Sequence, residues 1–142
     1  MRFVIVMLFI CLIISCRTSH TASSHLPRWI KGAYTDDYGI EYTIDDTLIR
    51  QHGIALYHVV ESNAPEQYLL VRNDSINVYG RGLYSRIDYM PFTGMEPYTW
   101  GYCLTVYQAP DMATARKATP ADRSAPKTGC NGYPFSRMKK KG

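Results

Sequence analysis

The sequence predicts a mainly β domain, either a small antiparallel β-barrel or a sandwich, with one short helix near its C-terminus. Apolar and polar residues alternate from 40 to 45, which is the pattern of a strand with one buried face. Similar short segments recur at close spacing, separated by turn-forming Gly, Asn, Asp and Pro residues. Tyrosine accounts for 12 of the 142 residues, and aromatic side chains favour half-buried strands. This composition excludes a disordered or collagen-like chain.

Residues 1–15 are predicted to be a signal peptide rather than part of the folded domain. Every position from 3 to 14 is apolar, Arg2 precedes this segment, and polar residues follow it at once. A helix of that length spans about 18 Å, whereas the hydrocarbon core of a bilayer is roughly 30 Å thick. The segment is therefore too short for a transmembrane helix and has the length of a secretory signal.

The end of this signal, Ile13-Ile14-Ser15-Cys16, resembles the lipobox of bacterial lipoproteins. The resemblance implies that Cys16 carries a diacylglycerol thioether, becomes the first residue after cleavage, and is acylated on its amine by a fatty acid such as palmitate. Several acyl chains anchor a protein stably where one chain is marginal. The resemblance also implies a location in the cell envelope, at the outer membrane in cells with two membranes, because Arg17 rather than Asp follows the cysteine. An ordinary secretory signal with an incidental cysteine is the alternative.

The mature chain divides into a tether, one domain and a short tail. Residues 16–28 are rich in Ser and Thr without apolar periodicity, and they are predicted to be a lipidated flexible tether. A single β domain covers 29–138, and 139–142 form a basic tail. His20 and His25 are interpreted as solvated spacers in the tether, so no metal site is predicted.

Within the domain, the patterns predict six strands and one helix. The strands are expected at 40–45, 54–61, 68–72, 76–79, 84–89 and 99–108. The helix is expected at 112–118, where Asp111 is a suitable N-cap and Pro120 ends the helix. Because this helix is short, packing against the sheet must stabilise it.

The four cysteines predict one disulfide bond. Cys11 lies in the signal peptide and Cys16 is the lipidation site, which leaves Cys103 and Cys130 as a pair in an exported domain. Closing a loop of this length stabilises a chain by roughly 3 to 4 kcal/mol in the chain-entropy model. The alternative is a catalytic cysteine, which requires a reduced thiol outside the cytosol and a histidine close to it in space.

Charge is distributed unevenly along the chain, although the formal net charge is only +4. Acidic residues concentrate between 32 and 66, and basic residues between 111 and 142. The basic end suits anionic lipid head groups or acidic glycans, or is a solvated terminus. No nucleic-acid partner is predicted, because the lipid anchor directs the protein away from the cytoplasm.

Aromatic and arginine side chains are the candidate ligand-binding residues, namely Tyr42, Tyr84, Arg86, Trp100 and Arg137. Aromatic rings with a polar group suit sugars and flat apolar ligands, and they equally suit half-buried β surfaces. Arg86 and Asp88 are two residues apart and share a strand face, where they can pair with each other or flank a ligand. An arginine at the mouth of a cavity would favour an anionic ligand.

Near the first strand, Trp29, Gly32 and Tyr34 resemble the opening of the lipocalin family, although lipocalins place Gly before Trp. The resemblance implies a barrel architecture and no particular function.

The main hypothesis is a non-catalytic lipid-anchored envelope protein that binds a small ligand, a glycan or a partner protein. No recognisable catalytic motif is present, and no cofactor is predicted. One alternative is a small exported hydrolase that uses carboxylates such as Asp36, Asp37 or Asp88 with His52 or His58. Another is a structural subunit of an envelope complex.

Overall fold

The computed structural model describes residues 25–142, which form a closed barrel of eight antiparallel strands. The strands are β1 (Gly32–Asp36), β2 (Glu41–Ile44), β3 (Leu48–Gln51), β4 (Ala55–Asn63), β5 (Tyr68–Asn73), β6 (Tyr84–Pro91), β7 (Tyr98–Ala109) and β8 (Ser136–Lys140). Each strand pairs with its neighbours in sequence, and β8 pairs with β1 to close the barrel. The mainly β fold class is confirmed, and the architecture is a barrel rather than a sandwich.

One predicted strand, at 76–79, is wrong, whereas the other five are present. Residues 74–83 form the connection between β5 and β6. The side chain of Asn77 accepts a hydrogen bond from Leu56 N (2.8 Å) and donates one to Leu56 O (2.9 Å), which also accepts from Asp74 N (3.0 Å), so these contacts hold the segment against β4. Strands β1, β3 and β8, which have four or five residues each, were not among the predicted strands.

The barrel has two different ends. The "open end" carries the connections β1–β2, β3–β4 and β5–β6, and the "closed end" carries β2–β3, β4–β5 and β6–β7. A 3-10 helix, Arg28–Ile30, precedes β1 and covers the closed end, where Leu26 and Ile30 are buried in the core. Asp46 fixes this segment by accepting hydrogen bonds from Leu26 N (2.8 Å) and Lys31 Nζ (2.9 Å). Part of the segment predicted as tether therefore belongs to the barrel.

Strand β8 extends to Lys140, so two residues of the predicted basic tail also belong to the barrel. Lys140 pairs with Tyr34 of β1, and Lys141 donates to Glu41 Oε1 (2.6 Å). The two ends of the described chain therefore lie together at the closed end.

Aromatic side chains fill much of the barrel interior, because inward-facing positions alternate along each strand. The buried interior residues on the strands are Tyr34, Tyr42, Ile44, Ile49, Tyr57, Leu69, Val71, Ile87, Tyr89, Trp100, Tyr102 and Met138. The rings pack edge to face, as between Tyr34 and Trp100, whose centroids are 5.4 Å apart.

A short helix and the loop that follows it cover the outside of β5 to β7. The predicted helix is present as α1 (Met112–Lys117), and the Asp111 side chain caps it by accepting from Thr114 N (2.7 Å). The predicted disulfide is also present, with the Cα atoms of Cys103 and Cys130 5.6 Å apart. It fastens the covering segment to the longest strand.

Candidate ligand-binding site

The five predicted ligand-binding residues do not come together in the structure. Tyr42 and Trp100 lie inside the barrel, whereas Tyr84 and Arg86 lie on its outer face near α1. Arg137 lies on the outer surface of β8. The barrel wall therefore separates the two interior residues from the other three.

Arg86 has a structural contact network rather than an open binding surface. Its Nε and Nη2 atoms donate to the two oxygens of Asp88, each at 3.0 Å, and its Nη1 donates to Arg116 O at 2.8 Å. Arg123 donates a further hydrogen bond to Asp88 (3.0 Å). Of the two arrangements that the sequence allowed for Arg86 and Asp88, the structure shows the one in which they pair with each other.

Arg137 is engaged at the surface in the same way. Its Nε donates to Asp37 Oδ2 at 3.0 Å, and its guanidinium lies 4.6 Å from the centroid of the Tyr98 ring. The hydrogen bond from Arg137 to Asp37 raises the pKa of the arginine above its usual value. This arrangement links β8 to the β1–β2 connection.

A cleft of about 320 Å³ lies at the open end, where no ligand site was predicted. Its lining residues are Ile54, Ala55, Tyr57, Asn73, Asn77, Val78, Tyr79, Leu104 and Tyr107. Ala55, Tyr57 and Leu104 come from inside the barrel, and the others come from its edge. Most of the lining is apolar, which suits an apolar ligand body.

Two asparagines hold the β5–β6 connection against the barrel and so shape the cleft. Asn73 Nδ2 donates to Gly80 O (2.8 Å) and Tyr107 O (2.7 Å), and its Oδ1 accepts from Ser85 Oγ (2.6 Å). Gly80 has φ 62°, and a Cβ atom there would lie 2.7 Å from Asn73 Nδ2, so the close approach requires glycine. Asn77 makes the two contacts with Leu56 described above. Each of these hydrogen bonds joins an asparagine side chain to another residue of the protein.

Large apolar side chains are exposed around this cleft. Within residues 25–142, five of the nine exposed large hydrophobic residues lie on the segments around the cleft, and each is between 50% and 75% exposed. We call this set the "apolar rim": Ile54, Ile76, Val78, Tyr79 and Tyr107. A concentration of exposed apolar side chains beside a cleft is typical of a binding surface.

A polar cluster lies inside the barrel near the open end. Asp36 accepts hydrogen bonds from the backbone of Tyr38 and Ile40 and from the Tyr42 hydroxyl (3.0 Å), and Gln51 Nε2 donates to the same hydroxyl (3.0 Å). Burial raises the pKa of Tyr42 well above its usual value, and the negative charge of Asp36 raises it further.

The neighbouring Tyr102 hydroxyl differs, because it is buried without a hydrogen-bond partner within 25–142. Burial raises the pKa of Tyr102, and the electrostatic effects of Tyr57, Tyr42 and Asp36 add to the increase. These tyrosines therefore belong to one interacting cluster.

The predicted hydrolase residues are engaged in other contacts. Asp36, Asp37 and Asp88 have the partners described above, and none of them hydrogen-bonds to His52 or His58 within the described part of the chain. His52 Nε2 lies 2.8 Å from Thr43 Oγ1, and His58 Nε2 lies 2.5 Å from Asp74 Oδ2.

Between 25 and 142, no group of three or more His, Cys, Asp or Glu side chains is arranged to hold a metal ion. The helices of this part of the chain also include none with the length and apolar character to cross a bilayer.

Comparisons with protein-family models, curated proteins and solved structures find no match. The function is therefore inferred from the residues of the open end and from the N-terminal sequence.

Proposed function

We propose that this chain is a lipid-anchored cell-envelope protein whose barrel binds a small apolar or amphipathic molecule at its open end. The cleft carries this proposal. It combines an apolar lining with the exposed apolar rim, and Asn73 and Asn77 hold its wall in place. Its volume of about 320 Å³ is near the lower limit of small-molecule sites, which favours a compact ligand.

The cleft favours an apolar ligand over a glycan. A sugar ring needs several polar groups with free hydrogen-bonding capacity, in addition to an aromatic surface. Asn73 and Asn77 already bond to the backbone of Gly80, Tyr107 and Leu56. The remaining lining is predominantly aliphatic and aromatic, so burial of apolar surface supplies most of the binding free energy.

The anchor half of the proposal depends on Cys16. The described residues begin at the closed end, and the apolar rim lies at the opposite end of the barrel. We expect labelled palmitate to be incorporated into the full chain in bacteria and to be lost in Cys16→Ser. Unlabelled wild-type protein secreted in soluble form would contradict the anchor.

Photoaffinity labelling tests the binding half with the full lipidated chain in phospholipid vesicles. An octyl probe that carries a diazirine should label the β3–β4 and β5–β6 connections, as located by mass spectrometry, and unlabelled octane should compete. Val78→Glu places a charge in the cleft wall and should abolish this competed labelling.

Val60→Glu is the matched control, because Val60 is an exposed valine on β4 that does not line the cleft. It should label like the wild type. Labelling that octane does not reduce, or that Val78→Glu leaves unchanged, would contradict ligand binding at the open end.

A further inference from the structure

We infer that the ligand is an uncharged amphiphile whose hydrogen-bond-accepting oxygen binds the hydroxyls of Tyr57 and Tyr102, a proposal that rests on the binding function above. The apolar part of such a ligand would contact the cleft lining. Its oxygen would point inward, toward Tyr57 in the cleft lining and Tyr102 on the barrel interior beyond Leu104.

The positions of Tyr57 and Tyr102 on their strands place both side chains on the inner face of the barrel. Tyr57 lines the cleft directly. Tyr102 precedes Leu104 by two residues on β7, and Leu104 also lines the cleft. Because alternate residues of a strand share a face, Tyr102 lies on the same inner face one step deeper in the barrel.

Hydrogen bonding shows which groups are available. The Tyr42 hydroxyl is occupied by Asp36 and Gln51. The Tyr102 side chain, by contrast, is 5% exposed and its hydroxyl has no partner in the described chain. The Tyr57 hydroxyl also makes no hydrogen bond with residues 25–142, but it is not among the fully buried groups and stays accessible from the cleft. A buried donor without an acceptor is unfavourable, so a ligand oxygen that accepts from it gains an interaction that water no longer supplies.

The charge buried inside the barrel determines which polar group the ligand can carry. Asp36 is the only acidic or basic side chain buried inside the barrel between residues 25 and 142; the other two buried charged residues, Arg86 and Asp88, are on the outer face. Two backbone N–H groups and the Tyr42 hydroxyl donate to the negatively charged carboxylate of Asp36. A carboxylate or phosphate ligand would meet this negative charge without a cation to balance it. A carbonyl or hydroxyl oxygen has no such penalty.

An ammonium group is also less suitable than a neutral oxygen. It would lose its hydration in a largely apolar cleft, and the oxygens of Asp36 already accept three hydrogen bonds. The ligand class that fits both the unpaired donors and the charge is therefore a short-chain ketone, ester or alcohol.

A matched series of eight-carbon competitors tests this assignment in the photoaffinity experiment. The competitors are octane, 2-octanone, octanoate and octylamine, compared at equal free aqueous concentration of each compound. We expect 2-octanone to compete best, at about fivefold lower concentration than octane, which corresponds to one hydrogen bond of ordinary net strength. Octanoate or octylamine as the best competitor would overturn the inference.

Tyr102→Phe and Tyr57→Phe separate hydrogen bonding from packing. Each should raise the required concentration of 2-octanone about fivefold and leave that of octane unchanged. Tyr133→Phe, an exposed tyrosine outside the cleft, is the matched control and should change neither. Equal shifts for octane and 2-octanone would show a packing role only and would contradict the inference.

Two further outcomes distinguish failure of the inference about the ligand oxygen from failure of the proposed binding function. Tyr102→Phe should leave the urea midpoint of the unliganded protein unchanged or raise it, because the hydroxyl has no partner to lose. A clear loss of stability would mean that ordered water already satisfies this hydroxyl, and would overturn the inference alone. If none of the four compounds competes, the binding function itself fails.

Discussion

The two ends of the barrel place their apolar side chains in opposite ways. At the closed end, Ile30, Tyr34 and Trp100 are buried. At the open end, the apolar rim is exposed and the polar cluster around Asp36 is buried. Burial of aromatic surface stabilises the fold, whereas exposed apolar surface is useful only when something binds to it. The comparison teaches that one continuous sheet can supply stability at one end and a binding surface at the other.

The largest expected effect comes from removing an aromatic ring at the closed end. Trp100 is 1% exposed and its ring contacts the rings of Trp29, Tyr34 and Tyr102. Trp100→Ala should lower the free energy of unfolding by about 3–5 kcal/mol, because it removes buried surface and leaves a cavity. Urea denaturation followed by circular dichroism measures this change. A loss below about 1 kcal/mol would show that the closed end is less important for stability than its packing indicates.

Loss of the disulfide should be the next largest effect, in a region that belongs to neither end. The combined variant Cys103→Ala and Cys130→Ala opens a loop with a sequence separation of 27 and should lose about 2–4 kcal/mol. Hydrogen exchange should rise in α1 and the segment after it. Reductant should reproduce the loss in the wild type and have no further effect on the variant. Equal stability of the two proteins would contradict a structural role.

The Asn77→Ala variant tests whether the contacts of the Asn77 side chain hold the wall of the open end in place. The variant leaves the backbone N–H of Leu56 without its acceptor, whereas the C=O keeps Asp74 N as a donor, and the change should cost about 1–3 kcal/mol. Faster hydrogen exchange of the Leu56 amide and weaker photolabelling should accompany this loss. Ser75→Ala, an exposed substitution in the same connection, should change neither. Unchanged exchange in Asn77→Ala would mean that other contacts hold this wall.

A smaller effect is expected from pH at the closed end. The Lys31 ammonium and the Leu26 N–H lower the pKa of Asp46 from 3.8 to about 2. A lowered folded-state pKa means that the stabilisation is complete above about pH 5 and is lost progressively as the pH falls toward about 1. Asp46→Asn should be less stable than the wild type at pH 7, and most of the difference should be gone at pH 2. Tryptophan fluorescence in urea at several pH values measures it, and a difference that is undiminished at pH 2 would contradict this origin.

The smallest effect on stability should come from the apolar rim. Ile76 is 71% exposed, so Ile76→Ser should change the free energy of unfolding by no more than about 0.5 kcal/mol. The same denaturation measurement checks this. A larger loss would show that the rim contributes to the fold, and the contrast between the two ends would be weaker than described.

Local sequence patterns predicted the parts of the fold that depend on neighbours in the chain. The alternation in β2, the Asp111 cap and the cysteine pair are of this kind, and the structure confirms each. The segment 76–79 also alternates, but its conformation depends on Asn77 contacting Leu56, which lies 21 residues earlier. No pattern within the segment reveals that contact.

The candidate site was harder to predict because it depends on which face of the barrel each side chain occupies. Tyr42 and Trp100 point inward, whereas Tyr84 and Arg86 point outward. Irregular pairing between β6 and β7 shifts the register on either side of Arg86. The cleft residues themselves, such as Tyr57 and Leu104, lie on separate strands that meet only when the barrel closes. The single signal within the sequence was the apolar character of Ile76, Val78 and Tyr79, which was interpreted as a strand.

The pairing of β1 with β8 has a consequence for how the protein acquires its fold. Tyr34 is paired with Lys140, and Arg137 N donates to Asp37, 100 residues earlier in the chain. A polypeptide that emerges N-terminus first from a ribosome or a translocation channel cannot close this barrel until β8 has emerged. Pairing between such distant segments is slow. The barrel therefore stays open while β1 to β7 are being synthesised, and closure waits for the pairing of β8 with β1.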